Sequence, residues 1–458
     1  MERQTMKSYD VILIGTGQAT GTMVPVFLEM GKSVATVEKE RVGGTCVNWG
    51  CTPTKTLVAG ARAAHMVSRA GEFGIEVSDY KVNFAKATAR QKRNRESSSE
   101  RFEKWLREAT DFHKGEATFL NSHEVRIGDE TIRGETIYIH TGATARIPPI
   151  PGIESVDYLD NKGILSLDEL PHHIIVVGGS YVGLEFSQIF RRFGSKVTVL
   201  ERGSRIMSRE DEDVAEEASR ILAGEGIEIL HNVQVESVSP EGGVTVTATV
   251  DGESRRITGT HILFATGRVP QTRELNLPAA GVEVNERGFI KVDEYLRTTA
   301  PNIYAVGDVN GGSAFTHTSV HDGQIIVKNL KGENWRQSDR IPVYSMFIDP
   351  PMGRVGMSET QAKQSGREVL KGTMPMSSIN RAREKEETGG LVKVLVDAKS
   401  GQLLGATVFG TGGDEVINIF ASWMYTRLPY TEFQKAVLVH PTVSELMPYL
   451  FEKLEPVT

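Results

Sequence analysis

Tyr9-Asp10-Val11-Ile12-Leu13-Ile14-Gly15-Thr16-Gly17-Gln18-Ala19-Thr20-Gly21 reads as an apolar strand running straight into a glycine-rich turn. A helix over Thr22 to Met30 and a second strand over Ser33 to Val37 are expected next, with Glu38 at that strand's end. This is the dinucleotide-binding βαβ pattern. Gly15 permits the tight turn, Gly17 lets the backbone approach a pyrophosphate, and the helix N-terminus faces the negative charge. Glu38 stands where a carboxylate accepts from a ribose hydroxyl. The third glycine of the pattern is replaced by Thr20, with Gly21 one place on, which predicts looser helix–strand packing there.

The pattern recurs. His173-Ile174-Ile175-Val176-Val177 leads into Gly178-Gly179-Ser180-Tyr181-Val182-Gly183-Leu184-Glu185, with a helix expected to about Phe193 and a strand over Lys196 to Leu200 ending at Glu201. Ser180 takes the second glycine position and is small enough to permit close approach. Two such units imply two dinucleotides, or two halves of one relay. Glu201 favours an unphosphorylated ribose and hence NADH, while Arg202 and Arg205 beside it are suited to a 2′-phosphate, so NADPH stays open.

Between the two units stands Gly43-Gly44-Thr45-Cys46-Val47-Asn48-Trp49-Gly50-Cys51-Thr52-Pro53-Thr54-Lys55, which holds both cysteines of the chain. The step from residue 46 to 51 along a straight helix is about 7.5 Å. A disulfide needs its Cα atoms roughly 4.4–6.8 Å apart. A bridge would therefore require the backbone to leave the helix, which Gly43, Gly44 and Gly50 allow. Lys55 lies one helical turn beyond Cys51, where an ammonium stabilises a thiolate or another nearby anion. Two stray thiols are the simpler account of the pair. The flanking glycines, the lysine and the nucleotide motifs favour a redox role.

The chain has 458 residues, more than one core usually supports, and so predicts several domains. It is 39% hydrophobic, 24% charged and 7% aromatic, the composition of an ordinary folded protein. A net charge of −7 argues against a dedicated nucleic-acid binder. The charged stretch Lys86 to Ala109 carries Arg90, Lys92, Arg93 and Arg95, but Glu96, Glu100, Glu103 and Glu108 interleave, as on a solvated amphipathic helix. Scarce cysteine suits a reducing compartment. The polar start, Met1 to Asp10, leaves no room for a signal peptide, and no apolar run reaches membrane-spanning length. A soluble, cytoplasmic protein without membrane or nucleic-acid partners is expected.

The remaining segments supply candidate positions around these centres. A helix is expected over Leu57 to Arg69. Strands are expected over Glu116 to Phe119, just after Gly115, over Glu124 to Ile127, and over Thr136 to His140, which ends in Thr141-Gly142-Ala143. Pro148, Pro149 and Pro151 mark a linker. Val244 to Val250 belongs to a β meander, and Ile262-Leu263-Phe264-Ala265-Thr266-Gly267-Arg268 closes the second unit. Asn302 to Asp308 puts a carboxylate at a strand end, placed for sugar or ribityl hydroxyls or serving as a turn former. From about Ser338 a compact α+β unit is expected, with strands Lys393 to Val396 and Leu403 to Val408 and a helix Glu415 to Leu428. In His440-Pro441-Thr442-Val443-Ser444-Glu445, Pro441 would start a helix and Glu445 would orient the imidazole. A dithiol centre needs a proton donor and acceptor near neutral pH, which histidine supplies.

Taken together, the chain resembles the FAD-dependent pyridine nucleotide–disulfide oxidoreductases, the family of glutathione reductase, lipoamide dehydrogenase and mercuric reductase. The motifs that carry the resemblance span essentially the whole chain: Gly15–Gly17 with Glu38, Gly44-Thr45-Cys46 through Cys51 to Lys55, Gly178 to Glu185, Ala265-Thr266-Gly267, Gly307-Asp308, and His440-Pro441-Thr442 with Glu445. The resemblance implies an α/β fold with two Rossmann-like dinucleotide-binding domains and a C-terminal α+β dimerisation domain. The implied domains are an FAD-binding domain in two segments (1–150 and 268–337), an NAD(P)H-binding domain (151–267) and a dimerisation domain (338–458).

The resemblance also implies roles. Cys51 lies against the flavin and Cys46 is the exchange thiol. Lys55 and Glu185 pair near the flavin, Tyr181 gates the nicotinamide pocket, and Asp308 holds the ribityl chain. His440 with Glu445 serves the partner subunit's Cys46, so the active sites of a homodimer are shared. Gly115, Thr141, Gly142, Gly178, Glu201, Arg202 and Gly267 complete the cofactor-binding set, and no metal site is implied. The flow is from NADH or NADPH through FAD and a Cys46–Cys51 disulfide to a small disulfide, oxidant or metal-ion acceptor.

Thr52-Pro53-Thr54-Lys55, Gly178-Gly179-Ser180-Tyr181 and Asp349-Pro350-Pro351 resemble the mercuric-reductase-like subgroup, which is similar to reductases of hypothiocyanous acid or Cu(II). The closing Leu450 to Thr458 lacks the C-terminal cysteine pair of mercuric reductases proper, and His440 stands where they carry tyrosine. Dihydrolipoyl dehydrogenase is the alternative reading, although Leu438 replaces the second histidine usual there. A non-enzymatic flavin redox sensor would not need Lys55, Glu185 and His440.

Overall fold

The computed structural model of the chain describes residues 6–457. The expectations for Met1 to Asp10 and for Thr458 therefore fall in part outside the described residues. The chain divides into two compact units. One comprises Met1–Thr56, Thr88–Arg146 and Gly267–Arg340, and the other Leu57–Ala87, Ile147–Thr266 and Ile341–Thr458. Among the described residues no helix is long and apolar enough to cross a membrane.

The first unit is built on β1 (Lys7–Ile14), whose Ile12 and Leu13 have no exposed surface. A strand covered on both faces reads as a continuous apolar run. Helix α1 (Gln18–Glu29) and β2 (Val34–Glu38) complete the βαβ unit, and β1 lies parallel to β2 and to β6 (Glu130–Ile139). Strand β3 (Asp111–Lys114) pairs parallel with β2. Strands β4 (Ala117–Phe119) and β5 (Glu124–Ile127) extend the far side in antiparallel fashion. Strand Ile303–Ala305 adds to β6 in parallel.

Register then decides which residues meet. Ile14 pairs with Val37 and Ile139, and Ile139 with Ala305. Gly15, Glu38, His140 and the Val306–Gly307 turn thus emerge side by side at the carboxyl ends of the strands, where open α/β sheets bind ligands.

Helix α1 begins at Gln18, not Thr22, because Gly17 in extended conformation (φ −68°, ψ −171°) already serves as its N-cap. Packing at Thr20 is not loose: this residue is fully buried, with its hydroxyl 3.4 Å from the Gly15 carbonyl. The helix expected from Leu57 starts at Cys51. Helices α2 (Gly44–Trp49) and α3 (Cys51–Ser68) are separated only by Gly50. Helix α4 (Phe84–Ala109) is amphipathic as expected, but Arg95 is not on its solvated face; it is 5% exposed.

The second unit contains a parallel sheet in the order Glu228–Leu230, Lys196–Leu200, His173–Val177, His261–Phe264, Tyr158–Leu159, with helix Tyr181–Phe193 following its central strand. The meander Val233–Ser239, Val244–Val250 and Glu253–Gly259 is antiparallel. Helix Glu212–Gly224, absent from the sequence expectations, buries Val214, Ala215, Ala218 and Leu222. The C-terminal part is a six-stranded antiparallel sheet in which Leu391–Asp397 and Leu403–Phe409 are central, flanked by helix Gly413–Thr426. Pro441 does not start a helix. The His440–Pro441 bond is cis, and the next helical turns, Ser444–Phe451, begin three residues later.

Candidate active site

The two cysteines flank the Gly50 break. Gly50 adopts φ −142°, ψ −115°, outside helical geometry, and a Cβ there would stand 2.9 Å from the Thr45 carbonyl oxygen. The departure from a straight helix that a Cys46–Cys51 bridge demands is thus built into the backbone. Gly43 (φ 103°) and Gly44 (φ 62°) make the entry, and a Cβ on Gly44 would lie 3.0 Å from Gly17 Cα. The redox loop and the dinucleotide loop therefore approach backbone to backbone. Asn48 fastens the turn by donating from Nδ2 to the carbonyls of Val42 (2.9 Å) and Gly44 (3.1 Å), and Ser99 on α4 donates to Val42 O (2.7 Å).

Both cysteines are thiols in this structure. The hydrogen bond with Cys51 pushes the Cys46 thiol up from its usual range, burial and the charge on Cys51 add to the shift, and Thr316 and Lys55 oppose it. Cys51 Sγ lies 3.2 Å from Thr316 Oγ1, at the first residue of helix Thr316–Leu330. The first turn of such a helix carries partial positive charge. A singly ionised pair therefore keeps its proton on Cys46 and its charge on Cys51, between the helix and Lys55.

Around this loop the nucleotide-type residues converge. Glu38 Oε2 accepts from Thr16 N (3.1 Å) and Thr16 Oγ1 (2.6 Å), and Gly115 N donates to the Glu38 carbonyl (3.0 Å). Thr141 Oγ1 donates to Gln271 O (2.7 Å). Gly142 (φ 70°) and Gly267 (φ 106°) have open space where a side chain would stand. Arg268 lies 3.5 Å from the Asp308 carboxylate and reaches Thr45 Oγ1 at 3.4 Å. Burial pushes the Asp308 carboxyl up, against the opposing effect of Arg268.

In the second unit Gly178 (φ 114°) makes the turn, and the two oxygens of Glu201 accept from Gly179 N and Gly203 N, each at 2.7 Å. Arg202 is exposed, while Arg205 reaches the Glu210 carbonyl at 3.4 Å. The Tyr181 hydroxyl donates to Glu210, which also accepts from Tyr344 (2.7 Å) and Arg354 (2.7 Å). Burial, then the charge of Glu210, pushes the Tyr181 hydroxyl up, so it stays protonated. Glu185 Oε1 accepts from Phe347 N at 2.8 Å. His440 Nδ1 is 2.8 Å from Glu445 Oε2, with the ring 71% exposed. The carboxylates of Asp211, Asp213 and Glu359 gather closely enough for a cation, and Lys393 supplies it, with Nζ 2.6 Å from Asp213.

Lys55 belongs to the first unit and Glu185 to the second, as Cys46 does to the first and His440 to the second. Sequence reasoning missed Thr316, Asn48 and Glu210. Asn48 stands inside the cysteine loop as an unremarkable polar residue, whereas Thr316 and Glu210 sit in no glycine motif and reach the loop and Tyr181 only through packing.

The profile of the pyridine nucleotide-disulphide oxidoreductases matches residues 9–323, and that of their dimerisation domain matches residues 343–450. The chain belongs to this family. It is therefore an enzyme, an oxidoreductase with two Rossmann-like domains and a C-terminal dimerisation domain. Among its relatives is the probable pyridine nucleotide-disulfide oxidoreductase RclA of Escherichia coli, 39% identical over 97% of this chain and 99% of that protein. The mercuric reductase of Bacillus cereus is 34% identical over 89% of this chain and 66% of its own length. The dihydrolipoyl dehydrogenase of Geobacillus stearothermophilus is 29% identical over 95% and 94%. The solved Cu(II) complex of the E. coli HOCl-induced flavoprotein disulfide reductase RclA superposes with a TM-score of 0.89 at 38% identity, covering 97% of this chain and 99% of that one.

Proposed function

We propose that this family member is a flavin-dependent reductase that draws electrons from NADH through the Cys46–Cys51 pair to a small oxidant or Cu(II), acting as a homodimer in the cytoplasm. The observation that carries the reading is the pair itself: two hydrogen-bonded thiols across the Gly50 break, with Cys51 against the start of helix Thr316–Leu330. The likeness to RclA, whose solved form is described as HOCl-induced and as a Cu(II) complex, supports the acceptor class.

The residues present fit FAD. Gly142 and Gly267 leave room for a ligand, the α1 N-terminus lacks a side-chain cap, and the half-buried Asp308 carboxylate suits ribityl hydroxyls. FAD, when bound, supplies a two-electron carrier between the nicotinamide and the disulfide. Gly15, Gly17, Glu38, Gly44, Thr45, Gly115, Thr141 and Asp308 would hold it, in a domain formed by residues 1–150 and 268–337. Gly178, Tyr181, Glu201 and Arg202, in residues 151–267, would hold the nicotinamide nucleotide. The carboxylate of Glu201, oriented by Gly179 and Gly203, repels a 2′-phosphate and favours NADH.

Lys55, one helical turn beyond Cys51, would keep a cation beside the reacting disulfide. Reduction breaks the sulfur–sulfur bond with two electrons and one proton, leaving a thiol on Cys46 and a thiolate on Cys51. His440, oriented by Glu445, takes the proton from the partner subunit's Cys46. With hypothiocyanous acid as acceptor, the Cys46 thiolate bonds to its sulfur, and the departing hydroxide leaves as water with the proton from His440. Cys51 then attacks Cys46 Sγ, thiocyanate leaves, and the disulfide re-forms. Residues 338–458 would form the dimer contact that brings His440 to the neighbouring subunit.

The test is NADH oxidation with hypothiocyanous acid, Cu(II) or lipoamide as acceptor, in the natural protein and in Cys46→Ser. Turnover with the oxidant or the metal ion, lost in Cys46→Ser, is expected. Acceptor turnover that survives in Cys46→Ser defeats the dithiol mechanism. Faster turnover with lipoamide replaces this reading with dihydrolipoyl dehydrogenase.

A further inference from the structure

His140 follows β6 at the point where the register aligns the strand ends, and its backbone N–H donates to Ile14 O at 2.7 Å. Its ring is buried at the meeting of three cofactor-facing segments. Nδ1 lies 3.3 Å from Thr20 Oγ1 on α1, and Nε2 lies 2.9 Å from Ser319 Oγ on helix Thr316–Leu330. A Cβ on Gly17 would stand 2.6 Å from His140 Cε1. One on Gly307 would stand 3.1 Å from Nε2 and 2.8 Å from Ser319 Oγ. The imidazole thus fills the room that the glycines leave.

We propose that His140 is a positioning residue for the flavin dinucleotide, clasping the pyrophosphate-facing end of α1 to the Gly307–Asp308 turn and helix Thr316–Leu330, with Thr20 as its matched partner. The inference rests on the FAD reading above. A neutral imidazole has one donor and one acceptor, and a hydroxyl is either. Thr20, His140 and Ser319 therefore form a satisfied chain in either tautomer, and deleting one member leaves a buried polar atom without its partner. Burial pushes the imidazole down to about 4, so the ring is neutral at working pH and acts by position, not by proton transfer.

This account explains the departure from the glycine pattern at Thr20. The third glycine normally serves close helix–strand packing. Here the position holds threonine, buried against the sheet, because its hydroxyl is one end of the clasp. Two positions separated by 120 residues are one device.

The experiment compares FAD affinity of the apoprotein, by quenching of flavin fluorescence, for the natural chain, His140→Ala, His140→Asn, Thr20→Ala and the Thr20→Ala/His140→Ala double variant. NADH affinity of the same proteins, measured by protection of NADH fluorescence, is the control for general loss of structure. His140→Ala and Thr20→Ala are each expected to weaken FAD about tenfold, the size of one hydrogen bond lost at a buried site. The double variant should lose much less than the product of the two, with NADH affinity unchanged. His140→Asn, which keeps a donor and an acceptor, should recover part of the loss. FAD affinity within twofold of the natural chain in His140→Ala, or multiplicative losses in the double variant, overturns the clasp and leaves the FAD reading standing. A natural chain that binds no FAD overturns both.

Discussion

The guanidinium of Arg95 lies over the indole of Trp49, 4.6 Å from the ring centroid, and so ties α4 to the last residue of α2 beside the Gly50 break. Arg95 is 5% exposed, and its Nε and Nη1 have no hydrogen-bond partner among the described residues. Its Nη2 lies 3.4 Å from the Glu96 carboxylate, so that ion pair and the ring face together compensate the desolvated cation, the ring contributing about 2 kcal/mol. A double-mutant cycle of Trp49→Ala and Arg95→Met, followed by urea unfolding, should return a coupling energy of about 1–2 kcal/mol. Additive losses would mean that ring and guanidinium do not interact.

The contact between Cys51 Sγ and Thr316 Oγ1 predicts a change in thiol ionisation. Thr316→Val removes a donor to the thiolate, worth about 1.5 kcal/mol for a charged acceptor. The midpoint of the pH–rate profile for iodoacetamide alkylation of the reduced protein should rise by about one unit. An unmoved midpoint would assign thiolate stabilisation to Lys55 and the helix dipole alone.

Glu201, whose two oxygens are held by Gly179 N and Gly203 N, sets the nucleotide preference in the proposed function. Glu201→Ala should lower the ratio of kcat/KM for NADH over NADPH by about tenfold or more, because a fixed carboxylate no longer opposes the phosphate and Arg202 remains. Steady-state kinetics with both nucleotides decides the matter; a constant ratio would move the selectivity elsewhere.

His140 predicts the direction of acid sensitivity. Its imidazole is depressed from an ordinary 6.5 to about 4 by burial. The groups against it are the Thr20 and Ser319 hydroxyls and the glycine backbones, while Asp322 on the facing helix is committed to Gly307 N and Arg340. Between these two pH values the unfolded chain binds the proton and the folded chain does not. Stability is therefore complete above about pH 6.5 and falls as the pH drops toward 4, by about 3 kcal/mol from this residue alone. The difference in unfolding free energy between the natural chain and His140→Asn should shrink over that window and stay flat above it. A pH-independent difference would show that burial does not depress the imidazole.

Much of this protein is legible without its fold. Gly15, Gly17 and Glu38, and again Gly178 and Glu201, announce nucleotide sites, since a positive φ or a close backbone approach admits few residues other than glycine. The strands are legible where an apolar run is buried on both faces, as in Lys196–Leu200, or where apolar and polar residues alternate, as in Val244–Val250. Helix Glu212–Gly224 falls outside that reading, although its buried Val214, Ala215, Ala218 and Leu222 keep helical spacing.

By itself the sequence determined the family, the two nucleotide motifs and the cysteine pair, because backbone turns and covalent spacing are local and leave a local trace. The tertiary structure alone decided that the helix breaks at Gly50, that Thr316 faces Cys51, that Glu210 anchors Tyr181, and that Thr20 and Ser319 close on His140. Apart from the local break at Gly50, each of these joins residues far apart in the chain through burial and hydrogen-bond geometry. Such partners are chosen by strand register and helix docking, which no short stretch of sequence encodes.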